Sequence, residues 1–142
     1  MFARDTKILI VDDMNMFRQM VRQALNTLEF KKMTEASDGT HAFAALAEAA
    51  QTQEPYQMVI SDWNMPKMKG IELLKKVRAE EWGKKLPFIM LTAEAEKDHI
   101  IEAVQAGVDN YIIKPFTVDQ MKQRLTQTYD KLYKPKPKAK AS

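Results

Sequence analysis

Met58-Val59-Ile60-Ser61-Asp62-Trp63-Asn64-Met65-Pro66 is a short apolar run that leads straight into an acidic residue and then a proline. The run is too short for a helix of its own, and Pro66 pushes the residue before it out of helical geometry. It reads as a buried strand that ends abruptly and delivers Asp62 to its carboxyl end. Alone, such an aspartate has two readings. One is a solvated residue capping a helix or turn, the common case for Asp. The other is a nucleophilic or metal-binding carboxylate at the mouth of a parallel sheet. The rest of the chain decides between them.

Upstream, Lys7-Ile8-Leu9-Ile10-Val11 is a continuous aliphatic run of the kind covered on both faces, and it ends in Asp12-Asp13. Phe17, Met20, Val21, Ala24, Leu25 and Leu28 then recur at helical spacing. Lys32 to Ala36 is a shorter, less apolar strand nearer the sheet edge. Asp38-Gly39 is a turn signal, Ala42 to Ala50 a helix, and Gln51 to Pro55 a polar connector. Downstream of Asp62 a loop closes at Gly70, and Ile71, Leu74 and Val77 mark a third helix that ends before Gly83 and Pro87. Phe88-Ile89-Met90-Leu91 is a strand ending in Thr92, and Glu94 to Ala106 a helix stopped by Gly107. In this helix Ile101 and Val104 are expected to face the sheet. Asn110-Tyr111-Ile112-Ile113 is the last strand, ending in Lys114-Pro115, and Val118, Met121, Leu125 and Leu132 give the final helix its apolar face.

Five strands alternating with five helices call for an α/β fold with a parallel sheet covered on both sides. Right-handed crossovers leave the flavodoxin-like, doubly wound order 2-1-3-4-5 as the natural topology. Ligands of such sheets bind outside the carboxyl ends of the strands. The residues there are Asp12, Asp13, Asp62, Thr92 and Lys114.

The chain has 142 residues, 45% hydrophobic and 29% charged, the balance of an ordinary globular domain. One domain over 1–132 is expected, followed by a basic Lys/Pro/Ala tail, 133–142, with nothing to bury and so disordered. The net charge is +3, but Lys134, Lys136, Lys138 and Lys140 lie in the tail. Without them 18 basic residues face 19 acidic ones, so the body is not a basic nucleic-acid binder. The tail reads as a solubilising end. No cysteine is present, which excludes disulfides, thiolate catalysis and zinc–thiolate sites, and two histidines make a His-based metal site a poor reading. No apolar run approaches the ~18 residues of a membrane span, and Met1 to Lys7 lacks the apolar core of a secretory signal. A cytoplasmic chain is expected.

Singly, each strand-end residue has a plain structural reading; Asp13 and Thr92, for example, could cap helices. Together they describe a chemistry. Three crowded carboxylates repel, and a divalent cation is the usual remedy. Oxygen donors without His or Cys favour Mg²⁺, which commonly completes its coordination with a phosphate oxygen. A Thr92 hydroxyl and the Lys114 ammonium suit the remaining phosphoryl oxygens. The set points to phosphoryl transfer at a carboxylate. With four glycines and no P-loop pattern, ATP is not the expected direct donor.

Val11-Asp12-Asp13, Ser61-Asp62-Trp63-Asn64-Met65-Pro66, Leu91-Thr92-Ala93-Glu94-Ala95 and Tyr111-Ile112-Ile113-Lys114-Pro115-Phe116-Thr117 stand in the order and spacing of the response-regulator receiver domain. From about Lys7 to Leu132 the chain resembles that family, and specifically its single-domain chemotaxis regulators. The resemblance implies Asp62 as phosphoacceptor. It implies Mg²⁺ held by Asp13 and Asp62, by Asp12 largely through water, and by the Asn64 backbone carbonyl. Lys114, Thr92 and backbone amides near Trp63, Asn64 and Ala93 would bind the phosphoryl oxygens. Tyr111 would be the rotamer switch, and Lys114-Pro115 a cis bond. Partners implied are a sensor histidine kinase of the CheA kind, a flagellar motor switch protein or other phospho-dependent target, and a phosphatase. The implied partner surface comprises Lys97, Ile100, Tyr111, Ile113 and Arg124, on a monomer that acts as a switch rather than an enzyme. The chain departs from the pattern in a longer connector before the central strand and in Lys69, where many receivers carry an acid. With Lys67, Lys69 makes the rim of the site more basic.

Other readings use parts of the same set. A phosphorelay intermediate or phosphate sink would share the chemistry but not the motor target. An aspartyl-nucleophile phosphatase of the haloacid dehalogenase type needs a second aspartate two positions after the nucleophile, where Asn64 stands. A flavodoxin needs a phosphate loop after the first strand, where Asp12-Asp13 would repel the phosphate.

Overall fold

Four apolar runs and the more polar segment Lys32–Ala36 form the strands of one parallel sheet. The structure is a computed structural model that describes residues 1–93 and 97–134, the Lys97 side chain excepted. In chain order the elements are β1 (Lys7–Val11), α1 (Asn15–Thr27), β2 (Lys32–Ala36), α2 (Gly39–Ala50), β3 (Met58–Asp62), α3 (Gly70–Ala79), a 3₁₀ turn at Glu81–Gly83, β4 (Phe88–Thr92), α4 (Lys97–Ala106), β5 (Asn110–Ile113) and α5 (Val118–Tyr133). The sheet order is β2-β1-β3-β4-β5, with all neighbours parallel. The flavodoxin-like fold expected from the sequence is the one found.

Strand alternation splits the core in two. Leu9, Val11, Val59, Phe88 and Met90 face α2, α3 and α4, where Leu46, Leu73, Leu74, Val77 and Ala103 meet them. Ile8, Ile10, Met58, Ile60, Ile89, Leu91 and Ile112 face α1 and α5, against Val21, Leu25, Met121 and Leu125. Full burial of such a side chain contributes about 1.5–3 kcal/mol. A one-residue slip would exchange the two sets, and register is thereby fixed. In β3, Val59 pairs with Phe88 and Asp62 with Leu91, which puts Asp62 level with the end of β4.

One element boundary differs from expectation for a local reason. α2 begins at Gly39 because Asp38, expected as part of a turn, is its N-cap and accepts from the His41 amide at 2.8 Å. α4 is described only from Lys97, so the expected start at Glu94 and the expected disordered tail from 135 onward lie outside the described residues.

Gly70 closes the loop after β3 against the back of the site. Its amide donates to the Trp63 carbonyl at 2.9 Å, and a Cβ there would collide with the Asp62 carbonyl oxygen and stand 2.9 Å from Met90 Sδ. The Gly70→Ala variant should lose about 1–3 kcal/mol through overpacking. A lowered urea midpoint with an unchanged slope would check this; an unchanged midpoint would mean that the loop yields freely.

Candidate functional site

Each residue expected at the sheet's carboxyl edge is placed there by a strand end. Asp12 follows β1, its amide bonded to the Ala36 carbonyl at 3.2 Å. Asp62 ends β3 and Thr92 ends β4. Lys114 follows β5, with its amide donating to the Thr92 carbonyl at 2.7 Å and with a cis bond to Pro115. Asp12, Asp13 and Asp62 each offer a carboxylate oxygen within 4.8 Å of the others, with Asp12 and Asp62 buried and Asp13 exposed. Asp13 does not cap α1. The N-cap is Met14, whose amide donates to Asp12 Oδ1 at 3.0 Å.

Lys114 is the hub. Its Nζ donates to Asp12 Oδ2 and to Asp62 Oδ1, both at 2.8 Å, and only 8% of the residue is exposed. A buried cation between two buried carboxylates offsets a desolvation cost of several kcal/mol per ion only because its hydrogen bonds are short and paired. Burial nevertheless pushes the Asp62 carboxyl above the usual aspartate range. The Lys114 hydrogen bond opposes that, while the Asp12 and Asp13 charges reinforce it. Three carboxylates against one ammonium leave the cluster short of positive charge, and its carboxylate donors are all oxygen. It suits a hard divalent cation on the exposed Asp13 side.

These groups open on a cleft of about 840 Å³ lined by Asp13, Asp62, Asn64, Thr92, Ala93 and Lys114, with Lys69 on its rim. Thr92 is buried; Asn64 and Ala93 are exposed at the mouth. Three aromatic side chains also form the wall of the cleft. Phe17 was read as a core position of α1, yet its ring lies 3.9 Å from Lys114 Nζ. Trp63 and His99 stack across the mouth, ring centroids 4.6 Å apart and planes 17° from parallel. No spacing rule joins positions 63 and 99; Trp63, beside the acceptor, was the only signal.

The expected partner residues lie on α4, β5 and α5. Tyr111 is half-buried outside the cleft lining, with the Arg124 guanidinium 4.8 Å from its ring centroid. Ile113 is exposed, Arg124 half-buried and hydrogen-bonded to Asn110, and Ile100 half-buried. The Lys97 side chain is outside the described residues. The phase expected for α4 is corrected. Ile101 is 46% and Val104 61% exposed, and Ala103 at 3% is the residue turned to the core. Small Ala103 lets the helix lie close to its neighbours, so the bulkier residues one and two positions away point out.

A 2-1-3-4-5 sheet that gathers three carboxylates and a bridging lysine at its carboxyl edge defines a receiver-type α/β domain. The chain belongs to the response-regulator receiver family, which it matches over residues 8–126. Within it the chain is CheY-like, among the chemotaxis regulators of two-component systems. It is 45% identical over 129 residues to chemotaxis protein CheY-3 of Vibrio cholerae, covering 91% of this chain and 95% of that one. Chemotaxis protein CheY of Pseudomonas aeruginosa is 44% identical over 126 residues, 89% of this chain and 98% of that. Among solved structures, CheY4 of Vibrio cholerae superposes with a TM-score of 0.76 at 32% identity, over 87% of this chain and 98% of that. The receiver domain of a Pseudomonas aeruginosa sensor histidine kinase, with a magnesium ion coordinated in its active-site cleft, gives 0.70 at 27% identity, over 84% and 93%. Among the described residues no helix is long and apolar enough to cross a membrane.

Proposed function

We propose that the chain is a cytoplasmic single-domain response regulator, a monomeric switch whose receiver unit spans 1–132 and which is phosphorylated on Asp62 by a chemotaxis histidine kinase. The observation that carries this reading is the Lys114 ammonium held 2.8 Å from both Asp12 and Asp62 beside exposed Asp13. An oxygen of the Asp62 carboxylate attacks the phosphorus of a phosphohistidine. The P–N bond breaks, and its electron pair returns to the imidazole. Lys114 and the Thr92 hydroxyl then meet the phosphoryl oxygens, with backbone amides near Trp63, Asn64 and Ala93. Asp12, Asp13, Asp62 and the Asn64 carbonyl would hold Mg²⁺, as the all-oxygen donor set favours. When bound, that ion neutralises charge shared by the carboxylates and the incoming phosphoryl group.

The output is a surface, formed by Ile100, Tyr111, Ile113 and Arg124 with Lys97, and its target is a motor switch protein. Thr92 and Tyr111 carry the signal: the hydroxyl moves toward the phosphoryl group, and the Tyr111 ring turns inward. Such a switch needs only a few kcal/mol of differential stability. The similarity to chemotaxis proteins of Vibrio cholerae and Pseudomonas aeruginosa supports an output in chemotaxis.

Affinity for the motor component with and without beryllofluoride, a phosphoryl mimic, tests the reading. Binding should tighten about 10-fold or more in wild type, within the usual range of coupling energies, and much less in Thr92→Ala. Equal affinity in both states of wild type would remove the motor-switch output and leave a phosphorelay or phosphate-sink role.

A further inference from the structure

An ammonium has three N–H bonds, and two of those on Lys114 are committed to Asp12 and Asp62. The face of Phe17, 3.9 Å from Nζ, covers a further side of the group, and Phe17 itself forms part of the cleft wall. With Lys114 only 8% exposed, ring and carboxylates together leave little room for water at Nζ. A cation over an aromatic face is held by the ring quadrupole, more strongly where both are desolvated.

We propose that Phe17 is a positioning residue for Lys114, its π face fixing the ammonium at the Asp12–Asp62 pair and opposing its displacement. The proposal rests on the site reading above only in assigning Lys114 a part in phosphoryl chemistry; the caging is a property of the resting protein. An aliphatic side chain could fill the same volume, but it offers the cation no attraction. Any event that draws Lys114 out of its place must overcome the ring contact as well as two ion pairs. Phe17 thereby sets how readily the lysine gives way when a divalent cation reaches the same carboxylates.

A series of fluorinated phenylalanines at position 17 weakens the ring quadrupole stepwise with little change in shape, and it separates attraction from packing. The first measurement is the exchange of the Lys114 ammonium protons with water, by nitrogen-15 NMR on the metal-free full-length protein. Exchange should quicken with each added fluorine, reaching about 10-fold in the pentafluoro form and in Phe17→Leu, the span of a desolvated cation–π contact. Phe17→Tyr should behave as wild type. The second measurement is the dissociation constant for magnesium chloride by calorimetry. It should fall along the same series by about threefold. Exchange rates flat across the fluorinated forms would overturn the proposal, even if Phe17→Leu alone were faster, because the ring would then act as a steric cover. Graded exchange with an unchanging magnesium constant would overturn its displacement arm. Failure of wild type to bind magnesium would strike the metal-site reading instead, and the exchange series would still decide the role of Phe17.

Discussion

Asp62→Asn should abolish phosphoryl incorporation from a phosphohistidine or a small acyl phosphate while making the resting protein more stable at neutral pH. The first effect follows from removing the anionic nucleophile and keeping its shape. The second follows from the crowding of the cluster. Burial raises the Asp62 carboxyl above its unfolded value, so the folded state holds this proton to higher pH than the unfolded chain does. Folding stability from this group is fully present below the unfolded value and is lost as pH rises through the raised one. Asparagine, having no proton to lose, escapes that loss. Urea midpoints of wild type should therefore fall relative to Asp62→Asn from acid to neutral pH, and parallel profiles would contradict the electrostatic account. Labelling of the variant at the wild-type rate would remove Asp62 from the acceptor role.

Lys114→Met should be strongly destabilising. It takes one partner from a buried ion cluster and leaves Asp12, fully buried, beside Asp62 with no cation between them. Breaking a buried pair in this way costs about 3–5 kcal/mol. The Lys114 hydrogen bond is also what lowers the Asp62 carboxyl against the effect of burial, so its loss raises that group further. The penalty should therefore be largest at neutral pH and shrink as acid protonates Asp62. Added Mg²⁺ should restore part of the stability by supplying the missing charge. A penalty independent of pH would mean that the methylene packing of Lys114, rather than its charge, is what the fold uses.

Much of this site was legible in the sequence because parallel strands buried on both faces read as unbroken apolar runs, and an acid, hydroxyl or amine ending such a run stands out. Asp12, Asp62 and Thr92 stand out in this way, and Lys114 ends the apolar run of the edge strand β5, which is only partly buried. α4 was misread in phase because it is short and has isoleucines at successive positions. Ile100 and Ile101 both look like core residues, and only the close approach permitted by Ala103 selects the face. Phe17 hid behind its own periodicity: an aromatic at a helical apolar position reads as core, and nothing local says that a lysine 97 positions away will lie over its ring. The Trp63–His99 stack joins a loop to a helix across the cleft mouth, a relation set by the tertiary fold alone.

The proposed phosphorylated state is covalent, an acyl phosphate on the single carboxylate of Asp62. Borohydride reduces such a group on aspartate to homoserine and leaves free carboxylates unchanged. Wild-type protein phosphorylated by a chemotaxis kinase in Mg²⁺, reduced and sequenced by tandem mass spectrometry, should carry homoserine at position 62 and aspartate at 12 and 13. Homoserine at 12 or 13, or at none of the three after demonstrated phosphoryl transfer, would contradict the account.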